Sequence, residues 1–202
     1  MPITELLSGY QKFKERLADS RESYLPTEGD QKPYALWIGC SDSRVIPEQI
    51  TNARPGELFV MRTIANIVPP FGVACDAVGA VIEYAVLHLK VHEIVVCGHT
   101  ECGGIKALEK PVDLAREPHV ARWVEFARPA RARVEASGVA VDRQYLDAIR
   151  ANVLLQRDNL SSYNCVRDAL RTGALRIDGW MYNTRTGQAE EYDDKSEQWI
   201  PL

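Results

Sequence analysis

The sequence lacks the features that define several large classes of protein. No apolar run approaches the roughly 20 residues that a membrane-spanning helix requires. Lys and Arg number 24 against 28 Asp and Glu, so the net charge is −4, and the basic residues form no clustered stripe. That balance provides no electrostatic surface for a nucleic acid. Internal repeats and low-complexity segments are also missing. These absences predict a globular protein with neither a membrane span nor a nucleic-acid partner.

Cysteine is scarce and odd in number, with five residues in a chain of 202, which argues against a disulfide framework. Three of them, Cys75, Cys97 and Cys165, have apolar neighbours and are predicted to be small core residues. Cys40 and Cys102 stand among polar residues instead, so each is a candidate nucleophile or metal ligand. The first residues show neither the basic region nor the apolar core of a signal peptide, and we expect a cytoplasmic protein.

Strand-like and helix-like segments alternate along the chain. Short apolar runs predict β-strands at 34–38, 57–62, 91–97, 174–182 and 188–192, the last two joined as a hairpin. Helices are predicted at 73–89, 103–110, 117–137 and 141–172. We expect the first of these helices to be buried on both sides and the last to break near Ser161 and Ser162. The alternation predicts a single α/β domain over residues 1–202, with a mostly parallel sheet and helices on both faces.

An amphipathic helix is predicted over residues 3–24, within an N-terminal arm at 1–25. Its apolar residues, at steps of four, three and four, are Leu6, Tyr10, Phe13 and Leu17. Such a stripe must be buried, either on the chain's own domain or on a partner subunit, and the pattern leaves both open.

Two strands end in residues that carry chemistry. Cys40, Asp42 and Arg44 follow the first predicted strand, and His99 and Cys102 follow the third. The carboxyl ends of parallel strands meet at the edge where open α/β sheets bind ligands. Zinc accepts one imidazole and two thiolates, and three protein ligands leave a fourth position open, as in catalytic sites. The sequence therefore predicts a zinc centre at this edge.

Asp42 and Arg44 are predicted to work as a pair. Two residues apart on an extended stretch, they share a face, and an Arg fork can hold a carboxylate ionised and fixed in direction. Two thiolates neutralise Zn²⁺, so an adjacent carboxylate that accepts a hydrogen bond from the bound water would compensate for its weaker acidification. The alternative is an ordinary surface salt bridge, which would contribute little.

Other roles for Cys40 can be checked against the spacing. A phosphatase loop requires an Arg at the position that Ile46 occupies, and a thioredoxin-like site requires a Cys in place of Ser43. A Cys–His hydrolase stays open, although it leaves Cys102 without a role.

The two motifs together resemble those of the β-class carbonic anhydrases. The resemblance runs from Gln31 to Tyr192 and includes the stretches Pro55–Val60 and Gly179–Tyr182. It implies a four-stranded parallel sheet extended by an antiparallel strand, and one zinc ion per chain. It also implies a dimer, with the arm at its interface, and often a tetramer. The reaction implied is reversible hydration of CO2 to bicarbonate and a proton by zinc-bound hydroxide.

Residue by residue, the resemblance implies these roles. The zinc ligands are Cys40, His99 and Cys102, and the catalytic dyad is Asp42 and Arg44. The substrate site takes an amide donor from Gln31, apolar walls from Phe59 and Tyr84, in part across the dimer interface, and the backbone N–H of Gly103.

A possible regulatory site is implied by Trp37, Arg62 and Tyr182. In one branch of the family, these residue types bind a non-catalytic bicarbonate that lets the Asp swing onto zinc at lower pH. Val45-Ile46-Pro47 departs from that branch, so regulation stays open. Two other functions also stay open, hydrolysis of a CO2 analogue such as COS or CS2, and a silent zinc- or bicarbonate-binding subunit. The proton-transfer group is not identifiable, with His88 a weak candidate.

Overall fold

The computed structural model describes residues 2–19, 30–73, 76–109 and 112–202, and these are built around one six-stranded sheet. The strands are β1 (Ala35–Cys40), β2 (Leu58–Thr63), β3 (Glu93–His99), β4 (Arg176–Tyr182), β5 (Ala189–Asp193) and β6 (Gln198–Pro201). Their order across the sheet is β2-β1-β3-β4-β5-β6. The first four are parallel, whereas β5 and β6 are antiparallel additions. The predicted fold class is confirmed, and β6 is a further antiparallel strand.

Helices connect the strands and cover the sheet. They are α1 (Ile3–Asp19), α2 (Pro47–Thr51), α3 (Asp76–Glu83), α4 (Gly103–Lys106), α5 (Pro118–Val124), α6 (Arg128–Ala136), α7 (Val141–Leu160) and α8 (Asn164–Arg171). A π-helical turn, Tyr84–Leu89, extends α3, and short 3-10 turns span Ile64–Asn66, Ala107–Glu109 and Glu125–Ala127. The predicted break near Ser161 and Ser162 is confirmed, because α7 ends at Leu160 and α8 begins at Asn164.

The long helix α7 packs directly against the sheet. A Cβ on Gly98 would lie 2.6 Å from Val153 Cγ2, and one on Gly179 would lie 3.1 Å from Val153 Cγ1. Only glycine at these two strand positions lets the helix approach so closely. Val153 and Leu160 then join Leu36, whose side chain shares the same buried cluster. β1, which lies between β2 and β3, is buried along its whole length.

The helix predicted at 73–89 differs from expectation in its burial. Within the described part, Val78, Ile82 and Ala85 face the core, but Tyr84 and Leu87 are exposed. The prediction of burial on both sides is therefore wrong for a single chain. The alternation of Ala, Val, Ile and Leu signals an apolar surface on both sides, and the domain itself covers only one of them. Cys75 lies outside the described residues.

The N-terminal helix α1 is amphipathic and is described to Asp19, so the predicted extension over 20–24 lies outside the described residues. Ile3, Leu6, Leu7 and Tyr10 are all more than half exposed. An apolar stripe in that state needs a further surface to bury it. Among the helices that the structure describes, none has the length and apolar content needed to cross a membrane.

Candidate metal centre

The two predicted ligand motifs meet at the carboxyl edge of the sheet. β1 ends at Cys40 and β3 ends at His99, and the two strands are hydrogen-bonded neighbours. Cys102 follows a tight turn and immediately precedes α4, so its thiol returns to the same edge. The potential ligand atoms of these three residues all lie within 4.8 Å of one another, and all three residues are buried. Parallel pairing of β1 with β3 is what converts two distant motifs into one cluster.

His99 has the protonation pattern of a metal ligand. Its Nδ1 lies 2.9 Å from the backbone oxygen of Thr100. A carbonyl oxygen only accepts, so Nδ1 carries the proton and the lone pair belongs to Nε2. That Nε2 is buried and has no hydrogen-bond partner within the described ranges. A buried acceptor of this kind is costly unless something binds it, and the backbone bond on Nδ1 is the usual support of a ligating imidazole.

The two thiols of the cluster share the character of one thiolate. A hydrogen bond from Cys102 lowers the pKa of Cys40 to about 4, with burial opposing this effect and His99 adding to it. The same hydrogen bond, together with burial, raises the pKa of Cys102. These directions favour the thiolate at Cys40, and a divalent cation bound between the two sulfurs would favour the thiolate at Cys102 as well. Cys97 is different, because full burial raises the pKa of its thiol, as predicted for a core cysteine.

Asp42 and Arg44 form the predicted pair, in a turn and not on an extended stretch. Arg44 Nε donates to Asp42 Oδ1 at 2.9 Å, and Arg44 Nη2 donates to Oδ2 at 2.7 Å. The backbone N–H of Arg44 also donates to Oδ1 at 3.0 Å. The hydrogen bonds from Arg44 hold the pKa of Asp42 well below its usual range. Oδ2 lies 4.0 Å from His99 Nε2, so the fixed carboxylate faces the ligand cluster.

Sequence reasoning missed the residues that hold this pair from the other side. Glu101 Oε2 accepts from Arg44 Nη1 at 3.2 Å, and Glu101 Oε1 accepts from Arg185 Nε at 3.1 Å. Glu101 adopts a left-handed backbone conformation, φ +59°, within the turn between His99 and Cys102. The position of Glu101 between His99 and Cys102 could have indicated a role at the site. Nothing in the sequence relates Arg185 to this edge of the sheet.

A strained turn beside the cluster was also missed. Ala65 and Asn66, in the 3-10 turn after β2, have φ values of +57° and +48°. For Ala, which has no side-chain bond to offset it, a left-handed conformation costs roughly 1–2 kcal/mol. Ala65 packs in one buried cluster with Cys40 and Cys102. Tyr145, from α7, adds an O–H donated to the Cys102 backbone oxygen at 2.8 Å.

The residues predicted to bind the substrate divide between two places, one beside the ligand cluster and one away from it. Gly103 begins α4 directly after Cys102, and a Cβ there would meet nothing within 4 Å. Gln31 precedes β1 at the opposite edge of the sheet and lines a cavity of about 1070 Å³ together with Tyr84. Phe59, near the start of β2, packs on Tyr84 with ring centroids 5.9 Å apart. Within one chain, therefore, Gln31, Phe59 and Tyr84 are grouped together but away from the metal ligands.

Trp37, Arg62 and Tyr182 share one face of the sheet. The register places Arg62 beside Gly39 and Tyr182 beside His99, and Trp37 packs in the small cluster to which Tyr182 also belongs. Arg62 donates to the backbone oxygens of Cys40 and Asp42. The Trp37 Nε1–H is buried, and the described part of the chain offers it no acceptor. Trp37 and Tyr182 are thus brought together, and Arg62 turns towards the segment that carries the dyad.

The cluster has the donor types and number that a three-ligand metal centre requires, at the edge of an open α/β sheet. The comparisons with known proteins identify the family. The family model described as carbonic anhydrase matches residues 35–189. The carbonic anhydrase of Pseudomonas aeruginosa is 40% identical over 202 residues, covering 99% of this chain and 92% of that protein. That of Synechococcus elongatus is 40% identical over 189 residues, covering 88% and 70%.

Solved structures agree. The β-carbonic anhydrase CcaA matches with a TM-score of 0.92 and 34% identity, over 99% of both chains. A Coccomyxa β-carbonic anhydrase, solved with acetazolamide, matches with a TM-score of 0.81 and 32% identity, over 94% of this chain and 86% of that one. The chain therefore belongs to the β-carbonic anhydrase family, and the resemblance of its motifs is confirmed.

Proposed function

We propose that this chain binds one Zn²⁺ through Cys40, His99 and Cys102 and catalyses the reversible hydration of CO2. The observation that carries the proposal is the unpartnered Nε2 of His99, buried beside two thiols and facing a carboxylate. Nitrogen and sulfur donors in this number suit zinc. The relatives reported above are carbonic anhydrases, which favours CO2 over COS or CS2 as substrate.

Zinc held there would supply a Lewis acid that lowers the pKa of a bound water, making a nucleophile available near neutral pH. The chain's own residues then orient the reactants. Asp42, kept ionised by Arg44, offers a carboxylate oxygen as a hydrogen-bond acceptor beside the open position. The N–H of Gly103, which starts a helix, can donate to an oxygen of CO2 or bicarbonate. Ile64, exposed beside this edge, provides apolar surface for CO2.

We assign Gln31, Phe59 and Tyr84 to the substrate site of a partner subunit. They form one group at the end of the sheet opposite to their own chain's ligands. Two further apolar surfaces call for a partner, the exposed stripe of α1 and the exposed side of the π-helical turn at Tyr84–Leu89. A dimer is therefore the minimal active unit in this proposal, with a tetramer as the larger assembly. β-Carbonic anhydrases of Sordaria macrospora, 29% identical, are described as tetrameric. The cytoplasmic location stays a prediction.

Regulation by bicarbonate is a finer part of the proposal. Trp37 presents a buried N–H without an acceptor among the described residues, as an anion site would require. Arg62 holds the backbone of Cys40 and Asp42. An anion that recruited the Arg62 guanidinium would release that backbone and with it the Asp42 carboxylate. Trp37→Phe, which removes the N–H and keeps an aromatic ring, would then abolish any inhibition by bicarbonate.

Stopped-flow CO2 hydration by zinc-quantified protein, from about pH 6.5 to about pH 9, tests both parts. Activity that rises steeply with pH and is lost on adding bicarbonate at the lower pH supports the enzyme and its regulation. Activity near neutral pH that bicarbonate leaves unchanged supports the enzyme and refutes the regulation. Stoichiometric zinc without hydration at any pH refutes the function, and COS and CS2 hydrolysis would be assayed next.

A further inference from the structure

The turn after β2 is a strained element that is buried beside the metal ligands. Ala65 and Asn66 are both left-handed and both fully buried, so the surrounding structure must hold them there. The strain is local and specific, because the segment returns to extended backbone at Ile67. Ala65 packs in the same buried cluster as Cys40 and Cys102, so whatever holds the turn in this conformation also affects the surroundings of the proposed ligands.

Three amide side chains of α7 bind the turn and Val68, two residues beyond its end. Asn152 Nδ2 donates to the Ala65 backbone oxygen at 3.0 Å. Gln156 Oε1 accepts from the Val68 backbone N–H at 2.9 Å, and Asn159 Nδ2 donates to the Val68 backbone oxygen at 2.8 Å. Spacings of four and three residues place the three amides on one face of the helix.

These three residues, which we call the amide ladder, also bond to one another. Gln156 Nε2 donates to Asn152 Oδ1 at 2.8 Å, and Asn159 Nδ2 reaches Gln156 Oε1 at 3.2 Å. Asn152 and Gln156 have no solvent exposure. Buried amides are stabilising only when they are bonded, so the ladder has one orientation, and it imposes that orientation on the turn.

The strained turn also packs closely against the segment that follows Cys102, one of the proposed ligands. A Cβ placed on Gly104 would lie 2.8 Å from Ile64 Cγ2 and 2.9 Å from Ala65 Cβ. Gly104 comes two residues after Cys102. On the other side, Thr63, the residue just before the turn, accepts a hydrogen bond through its backbone oxygen from the N–H of Ser41, which follows Cys40, at 2.9 Å. The turn therefore touches both halves of the ligand cluster, and Ile64, 43% exposed, is the side chain that it presents at the surface.

We propose that Asn152, Gln156 and Asn159 are positioning residues for the reaction pocket. The ladder holds the strained turn so that Ile64, backed by the buried Ala65, forms an apolar wall for CO2 beside the Cys102–Gly104 segment. The inference rests on the proposed function and adds to it a determinant outside the motifs. The competing account is that the ladder only stabilises the fold, and the two accounts differ in their effect on KM.

The test is Gln156→Met, which keeps the volume and removes the hydrogen bonds to Val68, Asn152 and Asn159. The matched control is Tyr163→Phe, which removes a comparable bond, from the Tyr163 O–H to the Pro69 backbone oxygen at 3.0 Å, beyond the strained turn. Both variants should melt at lower temperature. Only Gln156→Met should raise the KM for CO2, by about fivefold with kcat within about twofold, because the wall carries no proton-transfer group.

Two additional variants keep the test decisive. Trp123→Phe removes a bond to the same turn from another helix, Trp123 Nε1 to the Ile64 backbone oxygen at 3.0 Å, and should raise KM in a chain that still folds. Ala65→Gly, added to Gln156→Met, should restore at least half of the lost kcat/KM, because glycine adopts a left-handed conformation without the steric cost. Purely structural support would show no such rescue.

A readout independent of turnover completes the experiment. Backbone amide exchange across residues 63–67, measured on the zinc-loaded protein, should accelerate in Gln156→Met and stay at the wild-type rate in Tyr163→Phe. Wild-type KM in Gln156→Met, an equal rise of KM in Tyr163→Phe, or an unchanged exchange rate would each overturn the inference. Failure of the proposed function would look different, since it would appear as an inactive zinc-loaded wild type.

Discussion

At the scale of the residue, the site depends on how the side chain of Arg44 is held beside Asp42. Arg44 is 45% exposed, and an exposed guanidinium paired with one carboxylate would hold its position weakly. It is held here by Asp42 on one side and by Glu101 on the other. The loop after β1 and the loop after β3 are thereby joined by charged hydrogen bonds across the metal edge. Each loop carries or adjoins part of the proposed ligand set, so these hydrogen bonds constrain both parts.

Asp42→Asn tests the carboxylate itself. The amide keeps the shape and loses the negative charge that accepts a hydrogen bond and pairs with Arg44. We expect kcat/KM for CO2 hydration to fall by about 100-fold with the zinc content unchanged. Asp168→Asn, an exposed substitution on α8, is the control and should keep full activity. Hydration by Asp42→Asn at the wild-type rate would contradict the role assigned to the carboxylate.

Glu101→Gln tests the tie between the loops. Because the pair of Glu101 with Arg44 is solvent-exposed, the expected loss in kcat/KM is small, about threefold. Glu125→Gln removes an exposed pair with Arg128 that lies on the 3-10 turn after α5, and it should leave activity unchanged. The comparison is made in low and in moderate salt, since screening should reduce the effect of Glu101→Gln. An effect that is equal in both variants would contradict a specific role for Glu101.

At the scale of the element, strand β4 partly buries the carboxyl group of Asp178, which disfavours its charged form. Asp178 is followed by Gly179 and Trp180 in the middle of the sheet. Burial raises the pKa of Asp178 above its ordinary value, in spite of Arg176 nearby. Folding therefore favours the protonated carboxyl. The stability that this group contributes is full below its unfolded-state pKa and is lost as pH rises through the folded-state value.

Asp178→Asn should consequently stabilise the protein near neutral pH. The amide resembles the protonated acid and carries no charge to desolvate, so we expect a gain of about 0.5 kcal/mol at pH 7. The gain should shrink as the pH falls towards the folded-state pKa. Urea unfolding at several pH values measures it, with Asp158→Asn on the exposed face of α7 as the control. A destabilised Asp178→Asn at pH 7 would show that the ion-pair attraction to Arg176 outweighs the cost of burying the charge.

At the scale of the whole molecule, the proposed active site needs residues from two chains. Its ligand cluster lies at one edge of the sheet, and the remaining residues assigned to the substrate lie at the other. The strand β1 between them spans six residues, which at about 3.3 Å per residue is too long for a side chain to bridge. In the proposed dimer, association of two chains would unite the two groups and cover the apolar stripe of α1.

Leu6→Asp combined with Tyr10→Asp tests this association. Charges on the apolar stripe should oppose its burial against a partner, so the protein should sediment as a smaller species. Its CO2 hydration should fall at least about tenfold, since the substrate site would lose the partner's residues. Lys12→Asp lies on the opposite side of α1 and should keep both the assembly and the activity. A fully active monomer would contradict the assignment of Gln31, Phe59 and Tyr84 to a partner's site.

Local pattern determined most of the fold and the centre of the site. The apolar runs of the strands predicted the sheet, because a buried parallel strand needs few polar residues. The motifs around Cys40 and His99 predicted three donor residues that the structure brings together, because zinc restricts the donors and their spacing. The prediction that the helix at 73–89 is buried on both sides was wrong for a single chain. An apolar helix face has the same sequence pattern whether its own domain or another chain covers it.

Only the tertiary structure decided which distant residues support those motifs. Glu101 joins Arg44 to Arg185, and Gln156 holds a turn far away in the chain, through hydrogen bonds whose partners are 57 to 88 positions apart. The left-handed Ala65 is likewise invisible in sequence, because alanine has no intrinsic preference for that conformation and adopts it only where its surroundings require it. Ligand chemistry is local and can be read from a motif, whereas the geometry that orients it depends on long-range packing.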